Sequence, residues 1–374
     1  MLAPAWVTTR SDVGSPSTPP GCRHAPGLHP EHLPTPGGCE ELSAGRWVRR
    51  NDEVIDPRLA ARAVARGDVF TRADALALDL DDRHLRRICR SGEAIRVRRN
   101  AYVLGAAWEA ADPTERFAMR TRAVLAARQN AHDISSHRSA LALHGLPVLD
   151  PHLADVELAS DVLRVRRDRG FRLYPRAIST IDPEVSGATP DELESGRLVG
   201  AGSAPTGSSR AVPIPVAVVQ TLLGHGLPHA LVALDAALHE GRCTTPEVEA
   251  VVARLVGAGA RSHGYRLIRL SDPRCESVGE SRARLVLVEL GLDVRSQVAI
   301  YDDDGDFVGR VDGDVVVEFD GAVKYDGAEG RDALVAEKIR EDRLRALGYR
   351  VIRLTWADLD RPSYVAGLIR RARR

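Results

Sequence analysis

Residues 81–103, DDRHLRRICRSGEAIRVRRNAYV, constrain this chain most, because their hydrophobic period changes from about 3.6 to 2 within one short stretch. Arg83, Arg86, Arg87 and Arg90 fall at i, i+3, i+4 and i+7, one stripe of a helix. Leu85, Ile88 and Cys89 occupy the opposite side, so the helix can pack on a core and present four guanidinium groups outward. Asp81 or Asp82 caps its start, and Gly92 closes it. IRVRRNAYV then alternates apolar and basic residues about a turn near Arg99 and Asn100. That pattern predicts a small β-hairpin with Arg96 and Arg98 on one side. Upstream, FTRADALAL predicts a short helix with Thr71 as its cap. Helix, turn, basic helix and basic hairpin make up the winged-helix plan, in which a recognition helix enters the major groove and the wing touches phosphate. Seven arginines against three acids in this stretch give a footprint suited to DNA.

Composition supplies the rival reading. Of the 52 basic residues only Lys324 and Lys338 are lysines, so an arginine stripe is also what a solvated helix face looks like here. Net charge is zero, so no partner follows from global charge, and the local clusters matter more. The five cysteines are scattered, with no CxxC pair, which fits a reducing compartment. The first residues contain no apolar run with a cleavage site, and no later window approaches the ~20 apolar residues of a membrane span. The expectation is a soluble, cytoplasmic protein that does not engage a membrane.

Organisation along the chain is uneven. Residues 1–52 are rich in Pro, Gly, Ser and His without hydrophobic period, and predict a disordered tail. A helix is predicted over Pro113–Arg128, then a short one in SSHRSALALHGLP, capped by Ser135 or Ser136. Strands are predicted near 155–158 and 171–174, and a long flexible loop over 186–212. Helical patterns resume from Pro215 to about Leu270, one of them capped by Thr244 or Thr245. The fold class is α+β and multidomain: a winged-helix module over 53–150, a middle region over 151–270, and a C-terminal domain over 271–374.

TRADALAL through IRVRRNAYVL, followed by SSHRSALALHGLP, resembles the N-terminal winged helix-turn-helix module of AbiEi-family antitoxins, across roughly residues 57–150. The resemblance implies DNA binding, autoregulation at an operator and a cognate toxin as partner. His137 and His144 fall in the matching segment; the expectation for both is a structural, hydrogen-bonded role.

The last hundred residues predict a helix (279–290), a strand (295–301), a hairpin with arms 307–312 and 315–320, a helix (332–347), a strand (349–354) and a final helix. The second hairpin arm holds three valines, Val315–Val317, then Glu318 and Asp320, with Asp312 just upstream. Alternation sends Val316, Glu318 and Asp320 one way, and Val317 and Phe319 the other. Like charges at the end of a buried strand repel, unless something cationic joins them. A divalent metal would do so: magnesium favours hard oxygen ligands, and a bound ion neutralises a scissile phosphate and acidifies an attacking water.

That order of elements resembles the PD-(D/E)XK nuclease fold. GRVD, VVVEFDG, KY and AEKIREDRLRALGYRVIRLTW resemble its very-short-patch-repair endonuclease branch, of the actinobacterial type, over about 276–360. The resemblance implies catalytic residues Glu280, Asp312, Glu318, Asp320 and Lys324, with Mg2+ or Mn2+ held by Asp312, Glu318 and Glu280. One departure stands out: Asp320 occupies the slot where the pattern places lysine, and Lys324 lies four residues on. Two functions follow as expectations. One is a DNA-binding protein with a magnesium-dependent endodeoxyribonuclease domain. The other is a non-catalytic AbiEi-like antitoxin and transcriptional regulator with a vestigial nuclease fold. In either, Arg83, Arg86, Arg87, Arg90, Arg96 and Arg98 are the DNA-binding residues.

Overall fold

A computed structural model describes residues 55–152, 154–175, 210–292, 294, 298–301, 307–311, 315–319 and 338–373. The expected tail (1–52), most of the expected loop (186–212), and Asp312, Asp320 and Lys324 lie outside the described residues.

The chain enters through α1 (Pro57–Val64), capped by Asp56, whose carboxylate accepts from the Arg58 N–H. Strand β1 (Val69–Thr71) leads into α2 (Arg72–Leu76), where Thr71 and Asp74 form a reciprocal capping box. Helix α3 (Asp82–Arg90) is capped by Asp81, which accepts from the N–H groups of Arg83 and His84 at 3.0 and 2.9 Å. Strands β2 (Ala94–Arg98) and β3 (Ala101–Leu104) form the hairpin, turning at Arg99–Asn100 with Asn100 at φ 63°. The three strands run in the order β1-β3-β2, all antiparallel. Together with the three helices this is a winged helix, and its core holds Leu59, Phe70, Leu85, Ile88 and Tyr102. Part of the segment expected to open α2 is strand instead. Val69–Thr71 pairs with Ala101–Val103, a long-range partner that local helical pattern does not reveal.

Beyond α4 (Gly105–Ala110), helix α5 (Pro113–Arg128) serves two cores. Met119 and Ala123 pack on Val69, Ala101 and Val103 of the winged helix, while Phe117, Ala118 and Val124 enter the largest core of the molecule. That core is closed by α6 (His137–Leu143) and a sheet of β4 (Ile134–Ser135), β5 (Val156–Ser160), β6 (Arg166–Asp168) and β7 (Phe171–Pro175), ordered β4-β5-β7-β6. The end of the expected loop is tied down: Ser135 N–H donates to Arg210 O and Val212 N–H to Ser135 O. Helices α7 (Ile214–His225), α8 (Leu227–His239), α9 (Thr245–Leu255) and α10 (Arg261–Leu270) complete the middle region; Thr244 caps α9 in a box with Glu247.

Helix α11 (Val278–Glu289) opens the C-terminal part. Strands β8 (Val298–Tyr301) and β9 (Phe307–Val311) pair antiparallel, and β10 (Val315–Phe319) pairs parallel with β11 (Arg350–Leu354). Between them α12 covers 338–346; α13 (Trp356–Leu359) and α14 (Pro362–Ala372) follow. The expected alternation on β10 holds. Val317 and Phe319 join Ala283, Val286 and Leu287 of α11 in one cluster, and Val316 packs on Leu344 of α12 on the other face. Gly279 makes that packing possible, since a Cβ there would collide with the Phe319 ring. Trp356 packs edge-on against Phe319 and stays 43% exposed.

Candidate nucleic-acid interface

Arg83, Arg86, Arg87 and Arg90 are all exposed on α3, while Leu85 and Ile88 are buried beneath them. The helix therefore carries its cations on the side away from its core, as its spacing predicts. Arg83, Arg86 and Arg90 have no salt bridge among the described residues; the nearby acids are occupied elsewhere. Asp81 is held below the usual carboxylate range by the N–H groups it caps. Asp82 is held down first by its hydrogen bonds from Arg72, at 2.6 and 2.8 Å. Arg87 lies 2.8 Å from His84 Nδ1.

Helix α3 and the wing enclose a concavity of about 940 Å³ lined by Arg72, Arg86, Arg90, Arg96, Arg99 and Tyr102 among others. Arg72 and Arg99 were not singled out in the sequence. Arg99 sits in the wing turn beside residues already on the face, whereas Arg72, the first residue of α2, lines the hollow with its charge answered by Asp82. A cationic hollow between a helix and a hairpin is the shape that seats a duplex backbone while the helix enters the major groove.

Arg98 is placed differently from Arg96. The expected common side rests on unbroken alternation, but the β2–β3 register shifts between Arg96 and Arg98, so strict two-residue periodicity fails. Arg96 stays exposed and donates to the Arg98 carbonyl at 3.3 Å. Arg98 turns to the middle region, 3.0 Å from Asp168 Oδ2 and 4.2 Å from the centroid of the Phe171 ring. The structure does not bring it into the hollow lined by Arg96.

His137 and His144 are both buried. His144 Nε2 donates to Val212 O at 2.8 Å, and burial pushes its pKa down to about 4, so the ring is neutral. His137 has the unusual φ of 50°, stacks on Tyr174 at 3.9 Å and lies 3.0 Å from Ser136 Oγ. Beside it, the fully buried Glu157 accepts from His225 Nε2 at 2.6 Å and from the Arg138 N–H at 3.2 Å. These groups lock α6 and α7 to β5.

The C-terminal acids are arranged otherwise. Glu318, 3% exposed, meets Arg340 of α12 at 2.5 Å and its cross-strand neighbour Arg353 at 3.6 Å. Arg340 is thus directed inward. Glu280 is buried at the start of α11, where its side chain accepts from the Glu276 N–H at 2.7 Å. Burial pushes its pKa up to about 8, so it is protonated at neutral pH. It belongs to the helix on the Val317–Phe319 face, whereas Glu318 points to α12; the structure does not bring the two together. Among the described residues no group of three His, Cys, Asp or Glu side chains is placed to hold a metal ion. Glu318 is already answered by two guanidinium groups and Glu280 is held neutral by burial, while Asp312 and Asp320 lie outside the described residues.

Comparison with known proteins bears on the winged helix. Residues 57–105, from the start of α1 to the end of the wing, match the family described as "Transcriptional regulator, AbiEi antitoxin". Over 149 residues the chain is 33% identical to "Uncharacterized protein MT2308" and to "Uncharacterized protein Rv2248", from two strains of Mycobacterium tuberculosis. The alignment covers 38% of this chain and 54% of each relative, so the chain spans about half the length of the curated relatives it matches. Among the described residues no helix is long and apolar enough to cross a membrane.

Proposed function

We propose that this protein is a DNA-binding transcriptional regulator that docks α3 in the major groove and rests its wing on the backbone. One observation carries the reading. Arg86 and Arg90 of the α3 stripe and Arg96 and Arg99 of the wing are exposed around a single hollow, within the segment that matches the regulator family. Phosphate neutralisation by those arginines supplies affinity, and the side chains at the α3 N-terminus supply contact with base edges. The matched family's description as a transcriptional regulator and antitoxin supports an operator as the regulated site and a toxin as the partner. The test is fluorescence anisotropy of a labelled duplex with the full chain and with Arg86→Glu/Arg87→Glu. Reversal of two contacting charges weakens binding at least about a hundredfold; undiminished binding refutes the face.

A magnesium-dependent endodeoxyribonuclease is the second reading. It rests on the sequence resemblance of residues 276–360 and on Asp312, Asp320 and Lys324, which lie outside the described residues. The ion pairs of Glu318 weigh against it. Nicking of supercoiled plasmid with Mg2+ or Mn2+, abolished in Glu318→Gln, would restore it.

A further inference from the structure

The stretch 161–170, DVLRVRRDRG, leads into and supplies the first arm and turn of a basic hairpin, β6–β7, that leans on the wing. Strand β6 is the edge of its sheet and all its residues are exposed; the turn at Arg169–Gly170 returns the chain into β7. Arg164, Arg166 and Arg169 are exposed and have no salt bridge among the described residues. The acids of the hairpin are taken: Asp161 lies 3.1 Å from His132 Nδ1, and Asp168 is paired with Arg98. Leu163 and Val165, both exposed, stand among the arginines, so the surface combines unpaired cations with aliphatic groups.

The position of Arg98 gives this surface its meaning. Its guanidinium holds Asp168 and covers Phe171, and Arg128 lies 4.8 Å from the same ring. The wing and the β6–β7 hairpin are thereby fastened together, with Arg99 of the wing turn next along the chain from Arg98. Arg98 thus sets the exposed arginines of the hairpin beside the wing that borders the α3 hollow.

We propose that the β6–β7 hairpin is a second DNA-backbone contact, with Arg164, Arg166 and Arg169 binding phosphates beside the segment docked by α3. Arg98 is a positioning residue that sets the spacing between the two contacts. The proposal rests on the DNA-binding reading above and extends it beyond the family-matched segment. The competing explanation is that the arginines only guard an exposed sheet edge against pairing with other chains. An edge guard gives no dependence of DNA affinity on its charge.

The experiment is anisotropy of a labelled 40-base-pair duplex with the full chain, titrated across KCl concentrations. The variants are Arg164→Glu/Arg166→Glu/Arg169→Glu and the corresponding triple change to lysine. Three lost phosphate contacts lower affinity at least about tenfold and make the slope of log K against log salt shallower by about 2 to 3. The lysine variant keeps both affinity and slope, since phosphate neutralisation needs the charge. Thermal unfolding of all three proteins, followed by circular dichroism, establishes that they are equally folded. A glutamate variant with wild-type affinity and slope overturns the hairpin contact, while Arg86→Glu/Arg87→Glu still reports on the α3 face. If the wild-type chain fails to retain duplex even at low salt, the reading and the hairpin contact fall together.

Discussion

Arginine does opposite work at the two ends of this molecule. On α3 and the wing, guanidinium groups face water around a hollow, and the neighbouring carboxylates are occupied as helix caps or in ion pairs with Arg72. In the C-terminal part, Arg340 and Arg353 point inward and close on the buried Glu318. Glu157 in the middle region repeats the second pattern, with Arg138 and His225. Arginine content alone therefore says nothing about binding in this chain. What distinguishes an interface from a strut is whether a carboxylate already answers the charge.

The comparison predicts unequal costs of substitution. Glu318→Ala leaves two guanidinium groups facing an emptied, desolvated position and should destabilise the C-terminal part by about 3 to 5 kcal/mol in denaturant unfolding. A loss under 1 kcal/mol would mean that water reaches the pair.

Glu280 gives the next effect. Its folded pKa of about 8 lies above its ordinary 4.5, so the native state holds the proton more tightly than the unfolded chain. Its contribution to stability is full below pH 4.5 and declines as pH rises through 8. Glu280→Gln should therefore flatten the fall in stability between pH 5 and 8, a difference of roughly a few kcal/mol at the upper end. A stabilisation by Mg2+ at pH 8 that vanishes in the glutamine variant would instead make Glu280 a metal ligand.

Smaller changes belong to the winged helix. Asp81→Ala removes the α3 cap and should cost about 1 kcal/mol. Arg86→Ala should leave stability within about 0.5 kcal/mol, because the side chain is exposed and unpaired by any salt bridge among the described residues. If Arg86→Ala destabilised as much as Glu318→Ala, the contrast between interface and strut would fail.

The winged helix was largely legible because its signals are local: a 3.6-residue stripe, caps at Thr71 and Asp81, and a two-residue turn at Arg99–Asn100. Arg98 was misplaced because a register shift is set by packing across strands, which alternation cannot show. Strand β6 was missed because Arg166–Asp168 is polar throughout and forms a strand only by pairing with β7. The fate of Glu318 was hidden for another reason. Its acidity and burial were visible in VVVEF, but Arg340 and Arg353 come from 22 and 35 residues further along the chain. The C-terminal strands and helices followed from periodicity, but the expected hairpin of 307–312 with 315–320 is not among the pairings of the described residues, where β9 pairs with β8 and β10 with the distant β11, partners that local pattern does not reveal.

The central claim is that α3 and the wing bind the phosphate backbone of duplex DNA. The salt dependence of duplex affinity tests it most directly, measured for the full chain beside Arg86→Glu/Arg87→Glu. Binding through several arginines predicts log K falling steeply with log salt for the wild-type chain, and a slope shallower by about 2 in the variant. Affinity that is indifferent to salt, or equal slopes for the two proteins, would contradict it.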